Sequence, residues 1–189
     1  MYKSRLKKSG VVDQLVYKEG ATTGTSIILL TPDKERTMNT YLGANRLFGP
    51  DDVVERSVEE AELFYFTGYM WDTESQKNSV LKTLEICKKK GKKIAFDVAD
   101  PFAVGRYRQT FQSLISEYCD IVFANSEEAR YLMDNYDPYE CCRSLGKLCP
   151  IAVVKNGKKG SFLSDNRKIS LIPMYGTSVP VDTDRKSVV

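Results

Sequence analysis

From Leu63 to Lys155, four short apolar runs alternate with amphipathic stretches of helical length, and few architectures accept that order. Leu63-Phe64-Tyr65-Phe66 reads as a buried strand. Thr73, with Gln76 three residues on, reads as the N-cap of a helix whose apolar stripe is Val80, Leu81, Leu84 and Cys87. Lys88-Lys89-Lys90 before Gly91 closes that helix, because cations complement its negative end and glycine tolerates a left-handed C-terminal turn. The pattern then predicts strand 93–98, helix 106–118, strand 120–124, helices 126–133 and 138–146, and strand 150–155. Such alternation builds βαβ units, so an α/β chain with a mostly parallel sheet and helices on both faces is expected.

On either side of this run the rhythm changes. The β-branched and apolar residues 22–30, the turn Pro32-Asp33-Lys34-Glu35 and the segment Arg36–Tyr41 predict a β-hairpin, with Val11–Tyr17 expected as a further strand beside it. Ser57-Val58-Glu59-Glu60 has the form of a capping box opening a short helix. After Gly160, the segments 161–163 and 168–172 predict two more short strands.

A formal charge of +3 is too small to argue for nucleic acid or an anionic membrane surface, so neither partner is expected. No apolar run approaches the roughly 18–20 residues of a membrane span. Met1–Lys8 is charged, with no apolar stretch after it, and does not read as a signal peptide. The five cysteines, an odd number without framework spacing, point to reduced thiols and a cytoplasmic setting. Cys141, Cys142 and Cys149 lack zinc-site spacing and read as buried thiols. The chain has no histidine, which removes Ser-His-Asp and Cys-His catalysis and leaves carboxylates, lysine, arginine and backbone amides to do any chemistry.

Open parallel sheets bind ligands outside the carboxyl ends of their strands. Three segments occupy such places: Asp97-Val98-Ala99-Asp100-Pro101, Asn125-Ser126-Glu127-Glu128, and Lys155-Asn156-Gly157-Lys158-Lys159-Gly160. Each also has a purely structural reading. Asn125 and Glu128 have the spacing of an N-cap and its N3 partner, Gly157 and Gly160 could be turn residues, and Asp97 and Asp100 could satisfy loop amides or cap the following helix. The lysines at 88–93 read as a solvated helix end rather than a phosphate site.

Taken together, these segments resemble the ribokinase-like (PfkB) carbohydrate and nucleoside kinases. Asp120-Ile121-Val122-Phe123-Ala124-Asn125-Ser126-Glu127-Glu128-Ala129 is similar to that family's D-I-x-F-x-N-x-x-E-A segment, and Val153–Gly160 to its V-x-x-G-x-x-G stretch. The hairpin with Glu35-Arg36-Thr37-Met38-Asn39-Thr40-Tyr41-Leu42-Gly43-Ala44-Asn45, and the order Asp100-Pro101-Phe102 then Asp120-Ile121, resemble its adenosine-kinase branch most. The resemblance implies a ribokinase-like three-layer α/β fold with a small β lid, and ATP and magnesium as cofactors. Asn125 and Glu128 would organise the metal indirectly, through water, because magnesium keeps part of its hydration shell. Lys155, Gly157, Gly160, Asp182 and Thr183 would line the nucleotide. Thr23, Gly24, Asn39 and Asn45 would belong to the lid and acceptor side, and Arg36 would reach the transferred phosphate; read locally, Arg36 is equally an exposed hairpin residue. The acceptor would be a nucleoside or sugar, and the lid could pair two copies into a homodimer.

The same resemblance sets expectations for the ends. The family's Gly-Gly-Asn motif and its D-T-x-G-A-G-D loop, whose glycine amides form an anion hole and whose last aspartate is the catalytic base, do not occur among these residues. Val181-Asp182-Thr183 is followed instead by Asp184-Arg185-Lys186-Ser187-Val188-Val189, which is what GAT CGG AAG AGC GTC GTG encodes, a common sequencing-adapter string. Residues 184–189 are therefore expected to be a non-native tail, residues 11–45 the lid region, and 1–10 with 46–183 a partial α/β domain truncated at both ends. The catalytic base would be absent and the chain inactive alone. The alternative is a non-catalytic nucleotide- or sugar-binding regulator on the same fold.

Overall fold

The computed structural model describes residues 2–32 and 36–176. A short helix, α1 (Tyr2–Lys8), precedes a stretch without helix or strand, and a hairpin follows, β1 (Thr23–Leu30) against β2 (Arg36–Gly43). Its register sets Leu30 opposite Arg36 and Thr23 opposite Gly43. Three 3-10 turns (44–47, 50–52 and 68–71) and the helix α2 (Glu55–Glu60) lead into and around β3 (Leu63–Thr67). Then come α3 (Glu74–Lys90), β4 (Lys93–Asp97), α4 (Pro101–Tyr118), β5 (Ile121–Asn125), α5 (Ser126–Met133), α6 (Pro138–Leu145), β6 (Ile151–Lys155), β7 (Ser161–Asp165) and β8 (Lys168–Ile172).

Strands β3 to β8 form one sheet in sequential order; β3–β6 are parallel, and β7 and β8 return antiparallel. That order explains where the helices lie. Right-handed crossovers between successive neighbours all pass over the same face. Accordingly Phe66, Phe96, Val122, Ala124, Ala152 and Val154, alternate residues on one face, share a single core with Val80, Leu84, Phe111, Ile115, Leu132 and Leu145 from α3–α6. Phe66 stacks on Phe96 at 4.6 Å, and Phe111 meets Phe96 edge-on at 5.2 Å. Burial of each such side chain contributes about 1.5–3 kcal/mol. The expected helices on both faces are thus met on one face among the described residues. On the other, Leu63, Tyr65, Ile121, Phe123, Ile151 and Val153 remain partly or largely exposed.

Three local expectations are corrected. Val11–Tyr17 forms no strand; Gln14 donates to Ser57 Oγ at 2.6 Å and Lys18 pairs with Asp52 at 2.7 Å, so side chains rather than a sheet edge hold this segment. The short helix begins at Glu55, not Ser57, and Ser57 lies within it, its N–H donating to the carbonyl of the N-cap residue Val54. Helix α4 begins at Pro101 rather than 106: Asp100 accepts from the Phe102 N–H at 2.8 Å, and proline suits the first helical position. Near the expected start the helix instead kinks, at Tyr107. Elsewhere Thr73 caps α3 through the Gln76 N–H, and Gly91 ends it at φ 63°. All five cysteines are buried and unpaired, and no helix of the described residues is long and apolar enough to cross a membrane.

Candidate functional site

The parallel strands β3–β6 end side by side, and their carboxyl ends gather most of the polar residues singled out in the sequence. Asn125 is the last residue of β5 and the N-cap of α5. Its Oδ1 accepts from the Glu128 N–H at 2.8 Å, while Glu128 accepts from the Asn125 N–H at 2.7 Å and from Nδ2 at 2.6 Å. The two readings of this pair are therefore not exclusive. It is a complete capping box, and it also fixes a buried carboxylate at a strand end.

Glu128 is only 4% exposed. Burial pushes its carboxyl above the usual range; the Asn125 N–H and the Lys155 charge pull the other way, and Asp97 and Asp100 reinforce the rise. Both carboxylate oxygens already accept from Asn125, yet each keeps a further lone pair. That donor set suits accepting from metal-bound water rather than direct ligation, and so fits an outer-sphere magnesium. No group of three or more carboxylate or thiol ligands occurs among the described residues.

Lys155 ends β6 in register with Asn125, and its ammonium lies 3.5 Å from Asp97 at the end of β4. The loop that follows needs its second glycine. Gly160 has φ 87°, and a Cβ there would lie 2.2 Å from the Ile172 carbonyl oxygen. Gly157 has φ 55° with open space around it, so its backbone can be approached closely. The Asn156 N–H donates to the Gly160 carbonyl at 2.8 Å, closing the loop.

The residues expected to form a lid lie on other elements. Thr23, Gly24 and Asn39 lie in the hairpin, and Arg36 opens β2. Asn45 lies in the following 3-10 turn, where its carbonyl accepts from Gln76 Nε2 at 3.1 Å, tying the base of the hairpin to α3. Asp182, Thr183 and the tail 184–189 lie outside the described residues.

Two contributors were missed in the sequence. Asp97 was noted within its segment but not as a residue that engages Lys155. Tyr69 follows the fourth strand end, that of β3, and is half exposed; burial of its other half raises its phenol, helped by the charges of Asp100, Glu128 and Asp97. The strand-end rule applied to β3 as well would have flagged it. Gly68 makes this approach possible, since a Cβ there would lie 2.2 Å from the Val98 carbonyl oxygen. Between the two aspartates, Ala99 holds a left-handed φ of 66°, an uncommon conformation for a residue with a Cβ.

Comparison with known proteins agrees with this fold. The sequence pattern of the pfkB family carbohydrate kinases matches residues 1–183. Adenosine kinase from Sinorhizobium meliloti is 33% identical and superposes with a TM-score of 0.90 over 96% of this chain and 56% of its own. A protein described as a probable sugar kinase from Rhizobium etli CFN 42 is 34% identical with the same TM-score and coverage. Anopheles gambiae adenosine kinase, solved in complex with P1,P4-di(adenosine-5) tetraphosphate, is 20% identical and shares the fold at a TM-score of 0.78. The chain thus spans 56% of the length of the two more similar structures.

Proposed function

The chain belongs to the pfkB family of carbohydrate kinases, and from that membership we propose that it contributes the phosphate side of a site transferring the ATP γ-phosphoryl group to a hydroxyl of a nucleoside or sugar. The observation that carries this reading is the buried Glu128 carboxylate, locked by Asn125 at the end of β5 and flanked by Lys155. Phosphoryl transfer asks little covalent chemistry of a protein; it needs oxygens held in place and their charge offset.

In this arrangement Asn125 and Glu128 order the water shell of a magnesium ion, which when bound supplies the charge that neutralises the phosphates. Lys155 offers a point charge to phosphoryl oxygens, and Gly157 and Gly160 let the β6–β7 backbone approach the nucleotide. Arg36, Thr23, Gly24, Asn39 and Asn45 belong to a lid that closes over the acceptor and excludes water, and the family resemblance assigns Asp182 and Thr183 to the nucleotide. The exposed row Ile27–Leu30 supports a second part of the proposal, pairing of two lids in a homodimer. Five unpaired thiols support a reducing, cytoplasmic setting.

The 189 residues contain no Gly-Ala-Gly-Asp loop to act as anion hole and base, so the chain by itself is expected to turn over negligibly. The test is an ATP-consumption assay with adenosine and a set of sugars, run on this chain and on the reading frame expressed with its flanking sequence. The expected result is turnover by the longer protein only. Robust turnover by the 189-residue chain contradicts the inactivity, and nucleotide binding without turnover by the longer protein makes it a regulator.

A further inference from the structure

Tyr65, Asp97 and Lys155 stand on β3, β4 and β6 but on one face of the sheet, the face opposite the helices. That face also carries the apolar Ile121, Phe123 and Val153, and toward its carboxyl end Tyr65, Asp97 and Lys155 join Thr67 and Asn125 in a polar margin. Asp97 divides its carboxylate between two tasks. Oδ1 accepts from the Ala99 N–H at 3.1 Å and so closes its own turn. Oδ2 faces the Tyr65 hydroxyl at 3.4 Å and the Lys155 ammonium at 3.5 Å. Because β5 lies between β4 and β6, the Asp97–Lys155 pair bridges the end of β5, where Asn125 and Glu128 are fixed.

We propose that Asp97 is a positioning residue for Lys155: its charge holds the flexible lysine stem across the end of β5, where the ammonium meets a polyphosphate. This rests on the nucleotide reading of the site given above. At 3.5 Å and partly exposed on both sides, the pair is loose, so an ammonium turning to a phosphoryl oxygen breaks no tight hydrogen bond to Asp97. A structural role and a positioning role are separable here. The Ala99 N–H needs only an acceptor, which an amide oxygen provides, whereas Lys155 needs the charge.

The sign of one substitution decides the matter. Asp97→Asn removes a negative charge beside an anion site, so by charge alone it tightens anion binding; if Asp97 positions Lys155, it weakens it. With inorganic tripolyphosphate and magnesium as the probe in calorimetry on the 189-residue chain, Asp97→Asn is expected to weaken binding several-fold. In the Lys155→Ala background the same substitution is expected to leave affinity unchanged or tighter, and Asp97→Glu to restore part of the loss. Tighter binding by Asp97→Asn alone, or an equal effect in both backgrounds, overturns the proposal. A crystal structure of the Asp97→Asn chain provides a ligand-free check: Lys155 Nζ is expected to leave its place, and an unmoved ammonium overturns the proposal by itself. If tripolyphosphate binds the parent chain and Lys155→Ala equally, or binds neither, the nucleotide reading of this loop fails, while the position of Lys155 in that crystal structure still decides what Asp97 does.

Discussion

The β1–β2 hairpin and the β3–β6 sheet are built from similar residues and end in opposite conditions. In the sheet, alternate apolar side chains are buried to the last few per cent against α3–α6. In the hairpin, Ile27 (66%), Leu29 (61%) and Leu30 (67%) are mostly exposed, and so are Met38 and Tyr41 on the partner strand. The sheet is held by what its side chains bury. The hairpin is held by its own ladder, by the Ser26–Thr40 hydroxyl contact at 2.8 Å, and by the turn at its base. Two-stranded ribbons on their own are marginal. A β element carrying that much uncovered apolar surface suits closing onto something, whereas the sheet suits holding groups still.

That contrast can be broken most decisively by truncation. Phe96→Ala, at a fully buried site between Phe66 and Phe111, is expected to cost about 3–5 kcal/mol in urea unfolding, and Leu30→Ala no more than about 0.5 kcal/mol. Comparable losses at the two positions would show that the hairpin is packed after all. Gly68→Ala forces a Cβ against the Val98 carbonyl where β3 and β4 end, and is expected to cost about 1–3 kcal/mol by the same measurement. Asn125→Ala removes the Oδ1 cap of α5 and the Nδ2 donor to Glu128, while the backbone N–H donor stays; a loss of about 1–2 kcal/mol is expected, read by thermal or urea unfolding.

The smallest effect concerns the join between the two regions. Lys18, with help from the Gly49 N–H, holds the Asp52 carboxyl below its usual range. A carboxyl depressed on folding contributes stability that is present above its unfolded value, near 4, and lost as pH falls through the lower folded value. Limited proteolysis in the 11–18 segment is therefore expected to accelerate below about pH 4, and Asp52→Asn to remove that dependence. An unchanged pH profile in the variant would mean the pair does not anchor this segment.

How far the sequence reading reached follows the same division. Between Leu63 and Ile172 burial imposes periods of two and 3.6, so β3, α3, β5, α5, α6 and β6 were placed within a residue or two. The misses fall where periodicity gives no guide. Helix α1 has too few apolar residues to show a stripe, and Val11–Tyr17 has strand-like residues but no edge to pair with. The first turn of α4 falls outside the expected helix, although aspartate at the N-cap and proline at N1 open helices. At the site, Asn125 and Lys155 were readable as positions because each closes a strand, and Glu128 because it stands at capping-box spacing from Asn125. The Asp97–Lys155 pair was not, because it joins β4 to β6 across an intervening strand, and only the strand order brings the two together.

The central claim, that the carboxyl ends of β4–β6 form a polyphosphate site, is tested most directly by titrating the isotope-labelled chain with ATP and magnesium and following backbone amide shifts. The account predicts that the largest shifts fall at residues 97–100, 125–128 and 155–160 and shrink several-fold in Lys155→Ala. Shifts confined to the hairpin or scattered over the helical face, with those three segments unmoved, would contradict it.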